Sequence, residues 1–280
     1  MKRIVVAGGM NLDLLGVPDE RLMPRDSAPG KIILRPGGVG RNIAARLKAL
    51  GAEAALITAL GCDERAQLLA RMCMDSGIDL SLSLPTDRPA PSYLCIHDET
   101  GDMALAVNDM SAMEKLTPEA AAPRMAAVNG FDACVLDANL PEDTLLYMAK
   151  NAAVPLFLDP VSCFKAPRAI PVLPYLYAVK PNRLEAQALT GERNVERAAE
   201  ALIGAGVKNV FISLGAEGVY YAGAAEKGYL PARPLPNLPQ TGAGDALCAG
   251  LILALLDGLS PRESALRGCE AAYHALAQSV

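Results

Sequence analysis

Histidine and paired cysteine are scarce in this 280-residue chain: it holds 2 histidines and 7 cysteines, none of the latter spaced C-x-x-C. Zinc as an organising element is therefore not expected, since it needs clustered sulfur and imidazole ligands. The thiols (Cys62, Cys73, Cys95, Cys134, Cys163, Cys248 and Cys269) are odd in number and mostly in apolar surroundings. They read as free thiols in a reducing cytosol rather than as a disulfide framework. No apolar run approaches the roughly 18 residues of a membrane helix. The opening "MKRIVVAGGMNLD" reaches a glycine pair and polar residues too soon for a secretory signal. Both observations predict a cytoplasmic protein. Basic charge is not in excess either: 26 basic against 31 acidic residues give a net charge of −5, and the basic ones are scattered. Nucleic acid or an anionic membrane surface is not expected as the main partner. Internal repeats and low-complexity segments are lacking.

What is present is a large apolar fraction, 51%, enough for the core of one large domain spanning 1–280. Short apolar runs alternate with helical patterns. "RIVVAG" (3–8), "EAALITAL" (53–60), "DACVLDAN" (132–139), "VPLFLDP" (154–160), "YLYAVKPN" (175–182) and "KNVFISLG" (208–215) read as strands. Helical patterns fill 40–51, 63–77, 141–152, 196–206, about 243–257 and about 261–278. This rhythm predicts a doubly wound, mostly parallel α/β sheet flanked by helices. Two segments break it. Residues 14–36 carry prolines and the alternating "GKIILRP", and residues 91–107 read as a hairpin around Asp98–Gly101. Together they predict a small β-sheet lid over a site on the main sheet.

Three short stretches carry the chemistry. "TGAGD" (241–245) opens a helix. A helix N-terminus offers unpaired N–H groups and positive potential, and Gly242, Ala243 and Gly244 leave room for an anion to approach them. Asp245 beside such an anion hole suits a general base that strips a hydroxyl while the amides hold charge on a transferred phosphoryl group. As a plain first-turn acid it would only complement the helix dipole. In the N-terminal half, "GGMNLD" (8–13) and "RPGGVGRNIA" (35–44) place Asn11, Asp13 and Asn42 beyond strand ends, where amides and carboxylates suit vicinal diols. These glycines form neither a Walker A loop nor G-x-G-x-x-G, so an NAD-dependent oxidoreductase is disfavoured. "KPNRLEA" (180–186) puts Asn182 and Glu185 three apart at a helix start. That spacing suits either a hydrated Mg²⁺ near phosphates or a simple N-cap. The glycines of "SLGAEGVYY" (213–221) would let a nucleotide approach the backbone.

In this order, the early GG loop and the late TGAGD resemble the ribokinase-like (pfkB) family of carbohydrate and nucleoside kinases, from residue 1 to about 275. The resemblance implies a doubly wound α/β body with a small β lid, and transfer of the γ-phosphoryl group of ATP to a hydroxymethyl group. Asp245 would be the base, with Gly242, Ala243 and Gly244 as the anion hole. Asn11, Asp13, Gly38 and Asn42 would hold the sugar. Asn182 and Glu185 would organise Mg²⁺ and phosphate, and Asn182, Thr241, Ser213, Gly215 and Gly218 would line the ATP side. Many members are K⁺-linked through a carboxylate where this chain has Gln240, a neutral amide that binds K⁺ less strongly. The strings "RDSAPGKIILRPGGVGRNIA", "AVNDM", "LDPVSCFK" and "KPNRLEA" resemble the pseudouridine-kinase branch more than ribokinase, fructokinase or adenosine kinase. That implies Ser27, Lys31, Asn108 and Lys165 as contacts to base or ribose. Ribose, fructose, 2-keto-3-deoxygluconate, uridine or cytidine remain alternative substrates, and a non-catalytic sensor on the same fold is a further alternative. The alternating apolar lid strands permit a homodimer through the lid.

Overall fold

Ile4, Val5, Val6 and Ala7 are all fully enclosed. Side chains alternate along a strand, so Ile4 and Val6 enter one apolar layer while Val5 and Ala7 enter the other. In the computed structural model, which describes residues 1–234 and 242–277, this strand lies within an eight-stranded sheet. In chain order the elements are β1 (Arg3–Ala7), β2 (Asn11–Pro18), β3 (Gly30–Gly37), α1 (Val39–Ala49), β4 (Glu53–Ile57), β5 (Ala59–Leu60), α2 (Glu64–Asp75), β6 (Leu84–Pro85), β7 (Ser92–His97) and β8 (Met103–Asp109). Then follow α3 (Pro118–Ala121), α4 (Met125–Val128), β9 (Ala133–Asp137), α5 (Glu142–Asn151), β10 (Leu156–Asp159), β11 (Ala178–Val179), α6 (Arg183–Thr190) and α7 (Val195–Gly204). The chain closes with β12 (Asn209–Ser213), β13 (Val219–Gly223), β14 (Lys227–Leu230), α8 (Ala243–Leu256) and α9 (Pro261–Ala277).

The sheet order is β14-β13-β12-β11-β10-β9-β1-β4. Strands β4, β1, β9, β10, β11 and β12 are parallel, and β13 and β14 add an antiparallel edge. Helices α1, α2, α8 and α9 cover one face, while α3 to α7 cover the other. The chain leaves β1 toward β4 and returns on the opposite side at β9. The strand order therefore switches between β1 and β9, where ligands of such sheets are held.

Two expected strands are shorter than their apolar runs. Residues 53–60 split at Thr58 into β4 and β5, because β5 leaves the main sheet to pair with β6. Only Ala178 and Val179 of 175–182 form a strand. Pro174 and Pro181 flank them without N–H donors, and a 3₁₀ run (Ala166–Tyr175) with Pro171 and Pro174 inside it precedes them.

A second sheet, ordered β3-β2-β7-β8, stands apart from the first. It begins at Asn11, so Asn11 and Asp13 open β2 rather than ending β1 as the sequence predicts. Its register sorts the side chains onto two faces. Asp13, Tyr93 and Asn108 form one cross-strand row. On the opposite face, Leu34, Leu14, Leu94 and Val107 form one row, and Ile32, Gly16, Ile96 and Leu105 the next. Ile32 is 80% exposed, and Leu105 and Val107 are each 68% exposed.

Candidate active site

Helix α8 is apolar all round because it is packed between the sheet, α1 and α9. Its start is polar and open. Gly242 takes the N-cap position at φ 83°, with no side-chain cap. The first-turn N–H groups thus keep their capacity for a ligand. Thr241 and Gln240 lie outside the described residues. Asp245 sits in that first turn with part of its surface open. Burial pushes its carboxyl up to about 7, the Asp159 carboxylate adds to the rise, and Lys180, a hydrogen bond with Asn42 and Arg46 pull it partly back.

Beside the helix start lies a cavity of about 420 Å³. Asn182, Ser213, Gly215 and Gly218, expected on the nucleotide side, line it together with Ala243 and Gly244 of the expected anion hole, as do Arg233 and Tyr273. The Arg233 guanidinium stacks 4.1 Å from the Tyr273 ring centre. A larger cavity of about 560 Å³ between α1, α8 and α9 is lined by none of the predicted site residues. The residues expected on the nucleotide side gather at the smaller one.

The N-terminal cluster approaches Asp245 from the other side. The Asn42 side chain hydrogen-bonds the Asp245 carboxyl, and Asn11 Nδ2 donates to Asp13 Oδ1. Burial raises the Asp13 carboxyl, while Asn11, Arg35 and Arg41 oppose the shift. Gly38 stands at φ 94°, and a Cβ there would meet the Gly9 carbonyl oxygen at 2.4 Å. Only glycine lets the two loops touch. Lys165 Nζ donates to Asn139 Oδ1, whose Nδ2 donates to Asp137 beside Gly9 and Gly40. Lys31 and Asn108 are exposed strand residues. Asn108 shares the row of Asp13, and Lys31 lies opposite Val17 on the same face of the small sheet. Ser27 lies in the exposed β2–β3 connection, where its N–H donates to Asp26, and it makes no hydrogen bond to the others among the described residues.

Asn182 and Glu185 form a capping box: the Asn182 side chain accepts from Glu185 N, and Glu185 Oε2 accepts from Asn182 N at 2.8 Å. Two of their oxygens are thus committed to backbone. Glu185 Oε1 makes no hydrogen bond among the described residues.

A family model described as pfkB family carbohydrate kinase matches residues 1–279. The chain belongs to that family. It is 38% identical to the pseudouridine kinase of Escherichia coli over 277 residues, covering 95% of this chain and 88% of that protein. A carbohydrate kinase from Agrobacterium tumefaciens superposes with a TM-score of 0.86 at 31% identity, covering 97% of this chain and 90% of its own. A Thermotoga maritima ribokinase does so with 0.85 at 27% identity, covering 97% and 92%. As a pfkB kinase the chain is an ATP-dependent phosphotransferase with a ribokinase-like fold.

Sequence reasoning missed four buried polar residues at strand ends near the site, Asp137, Asn139, Asp159 and Lys180, and Arg233 and Tyr273 at the cavity. Asp137 ends β9 fully buried and accepts from Gly9 N at 2.8 Å, Gly40 N at 2.7 Å, Asn139 N at 2.8 Å and Asn139 Nδ2 at 3.0 Å. Burial nevertheless pushes its carboxyl up to about 6. Asp159 ends β10, and its Oδ2 lies 3.0 Å from Lys180 Nζ, both side chains being buried. The only sequence trace is that "VLDAN", "FLDP" and "AVKPN" each end an apolar run on a polar residue, with no spacing that sets them apart from other strand ends. Among the described residues no three His, Cys, Asp or Glu side chains gather as a metal cluster, and no helix is long and apolar enough to cross a membrane.

Proposed function

We propose that the chain phosphorylates the 5′-hydroxyl of pseudouridine, with Asp245 as general base. The observation that carries this reading is the position of Asp245. It adjoins the uncapped turn whose Ala243 and Gly244 line the nucleotide cavity, and its carboxyl hydrogen-bonds Asn42 from the sugar side. A base there reaches both reactants. The 5′-oxygen attacks the γ-phosphorus of ATP and gives its proton to Asp245. The new O–P bond forms as the bond to the β-phosphate oxygen breaks, and ADP leaves. Amides of Gly242, Ala243 and Gly244 face the charge that builds on the equatorial oxygens. Asn11, Asp13, Asn42 and Gly38 hold the ribose.

Mg²⁺, usual in this family, would neutralise phosphate charge when bound. The uncommitted Glu185 Oε1 fits its water shell, with Asn182 beside it. With Gln240 in place of a carboxylate, K⁺ would be held less strongly than in relatives with an acid there. The small sheet acts as a lid and brings Lys31 and Asn108 toward the substrate, while Lys165 meets it from the body. The likeness to the E. coli enzyme favours pseudouridine over free sugars. Its free N1–H offers a donor that uridine lacks, so an acceptor aimed there would discriminate. The apolar outer face of the lid pairs with that of a second copy.

The test is ADP release from the purified protein with pseudouridine, uridine, ribose and fructose, in Na⁺ and in K⁺ buffers. Pseudouridine should be turned over fastest in both. Faster turnover of a free sugar overturns the substrate assignment and leaves the kinase reading standing.

A further inference from the structure

Lys180 has no role in the mechanism above, yet it occupies a place that demands one. It follows the two-residue strand β11 and precedes the Pro181–Asn182 start of α6. Its side chain is buried, and a lysine is almost never buried without a partner and a reason. The partner is Asp159, at 3.0 Å. Asp159 Oδ2 is enclosed and has no partner besides this ammonium among the described residues. Asp159 Oδ1 is meanwhile occupied by the Val161 N–H at 2.8 Å.

The ammonium lies against the start of α8. A Cβ placed on Gly244 would stand 3.5 Å from Lys180 Nζ, in van der Waals contact with the turn whose amides form the anion hole. Gly244 itself lines the nucleotide cavity. A side chain on Gly244 would fill the gap between the ammonium and the bound anion. Glycine there leaves it open.

We infer that Lys180 is a catalytic residue: its ammonium forms the floor of the anion hole and donates to the phosphoryl group in flight, with Asp159 as the positioning residue that holds it there. The inference rests on the kinase reading of Asp245. An alternative role for Lys180 is purely structural, neutralising the buried Asp159 carboxylate. The two roles predict different behaviour when both charges are removed together.

The experiment compares Lys180→Met, Asp159→Asn, the double variant and Asp245→Asn by ADP release, with KM for nucleoside and for ATP measured separately from kcat. Lys180→Met should lower kcat by about 100-fold, the scale of one lost transition-state donor, with KM for the nucleoside unchanged within about 2-fold. The double variant should stay as slow as Lys180→Met. Because it leaves no lone buried charge, it carries the test even if the single variant fails to fold. Recovery of kcat in the double variant to near the native value overturns the inference in favour of charge neutralisation. So does native turnover in Lys180→Met. Asp245→Asn separates the layers: loss of turnover there with normal Lys180 variants sinks only this inference, whereas normal turnover in Asp245→Asn sinks the reading beneath it.

Discussion

A carboxyl that titrates near 7 instead of 3.8 is about half protonated at neutral pH, and as a base it works only in its ionised form. The rate at limiting substrate should therefore rise with pH through about 7 and level off above it; a flat profile between pH 5.5 and 8.5 would remove Asp245 as the base. The same position costs stability. A folded-state pKa above the unfolded one means that the native state holds the proton more tightly, so the contribution is complete below about 3.8 and is lost as pH rises through about 7. Asp245→Asn should accordingly be more stable than the native protein at pH 8, by about 1–3 kcal/mol after allowance for its open side, and by about a third of that at pH 5, read by denaturant titration. Its turnover should fall about 10²–10⁴-fold. Asp137 acts differently. It accepts three backbone N–H groups, from Gly9, Gly40 and Asn139, and Asp137→Ala strands them. Denaturant titration should show a loss of about 3 kcal/mol or more, and nucleoside KM should rise. Neither Asp137 nor Asp159 stands out in the sequence, because a single acid at a strand end carries no spacing signal. Asp245 does, because two small residues and a helix start surround it.

Whole elements were more legible than single residues. The long periodic helices and the buried strands follow from side-chain pattern alone, since the two apolar layers on either side of β1 impose it. The pattern does not show which strand carries a residue once the chain turns. Asn11 and Asp13 lie past a glycine pair, and the chain had already crossed into the small sheet at Asn11. Nor does an apolar run give strand length where prolines close it in, as at β11. The loop between β3 and α1 depends on Gly38. Alanine there would require a left-handed backbone with a Cβ pressed against the Gly9 carbonyl. Gly38→Ala should lower stability by about 1–3 kcal/mol and reduce kcat/KM for the nucleoside at least tenfold, read by melting and by ADP release. Unchanged kcat/KM would detach that loop from the sugar site.

At the scale of the molecule, the alternation of strands and helices pointed to the doubly wound body, and the pfkB match agrees. The position of the switch between β1 and β9 needed coordinates, because strand order is set by which crossovers pack and not by local pattern. The outer face of the small sheet carries two apolar rows, with Ile32, Leu105 and Val107 largely exposed, and the lid-to-lid pairing proposed above would cover it. Leu105→Asp together with Val107→Asp should convert a dimer to a monomer in light scattering. A native protein that is already monomeric at micromolar concentration would remove the lid-to-lid pairing.

The cage around Asp137 also fixes how the molecule can move. The backbone crosses from the body to the small sheet through Gly8–Met10 and returns through Gly37–Gly38, and Asp137 clamps the amides of Gly9 and Gly40 beside those crossings. Asp137 thus anchors the root of the small sheet to the body, and the lid movement proposed above would leave that root in place. The Gly9 and Gly40 amides should therefore exchange with solvent deuterium far more slowly than those along β8.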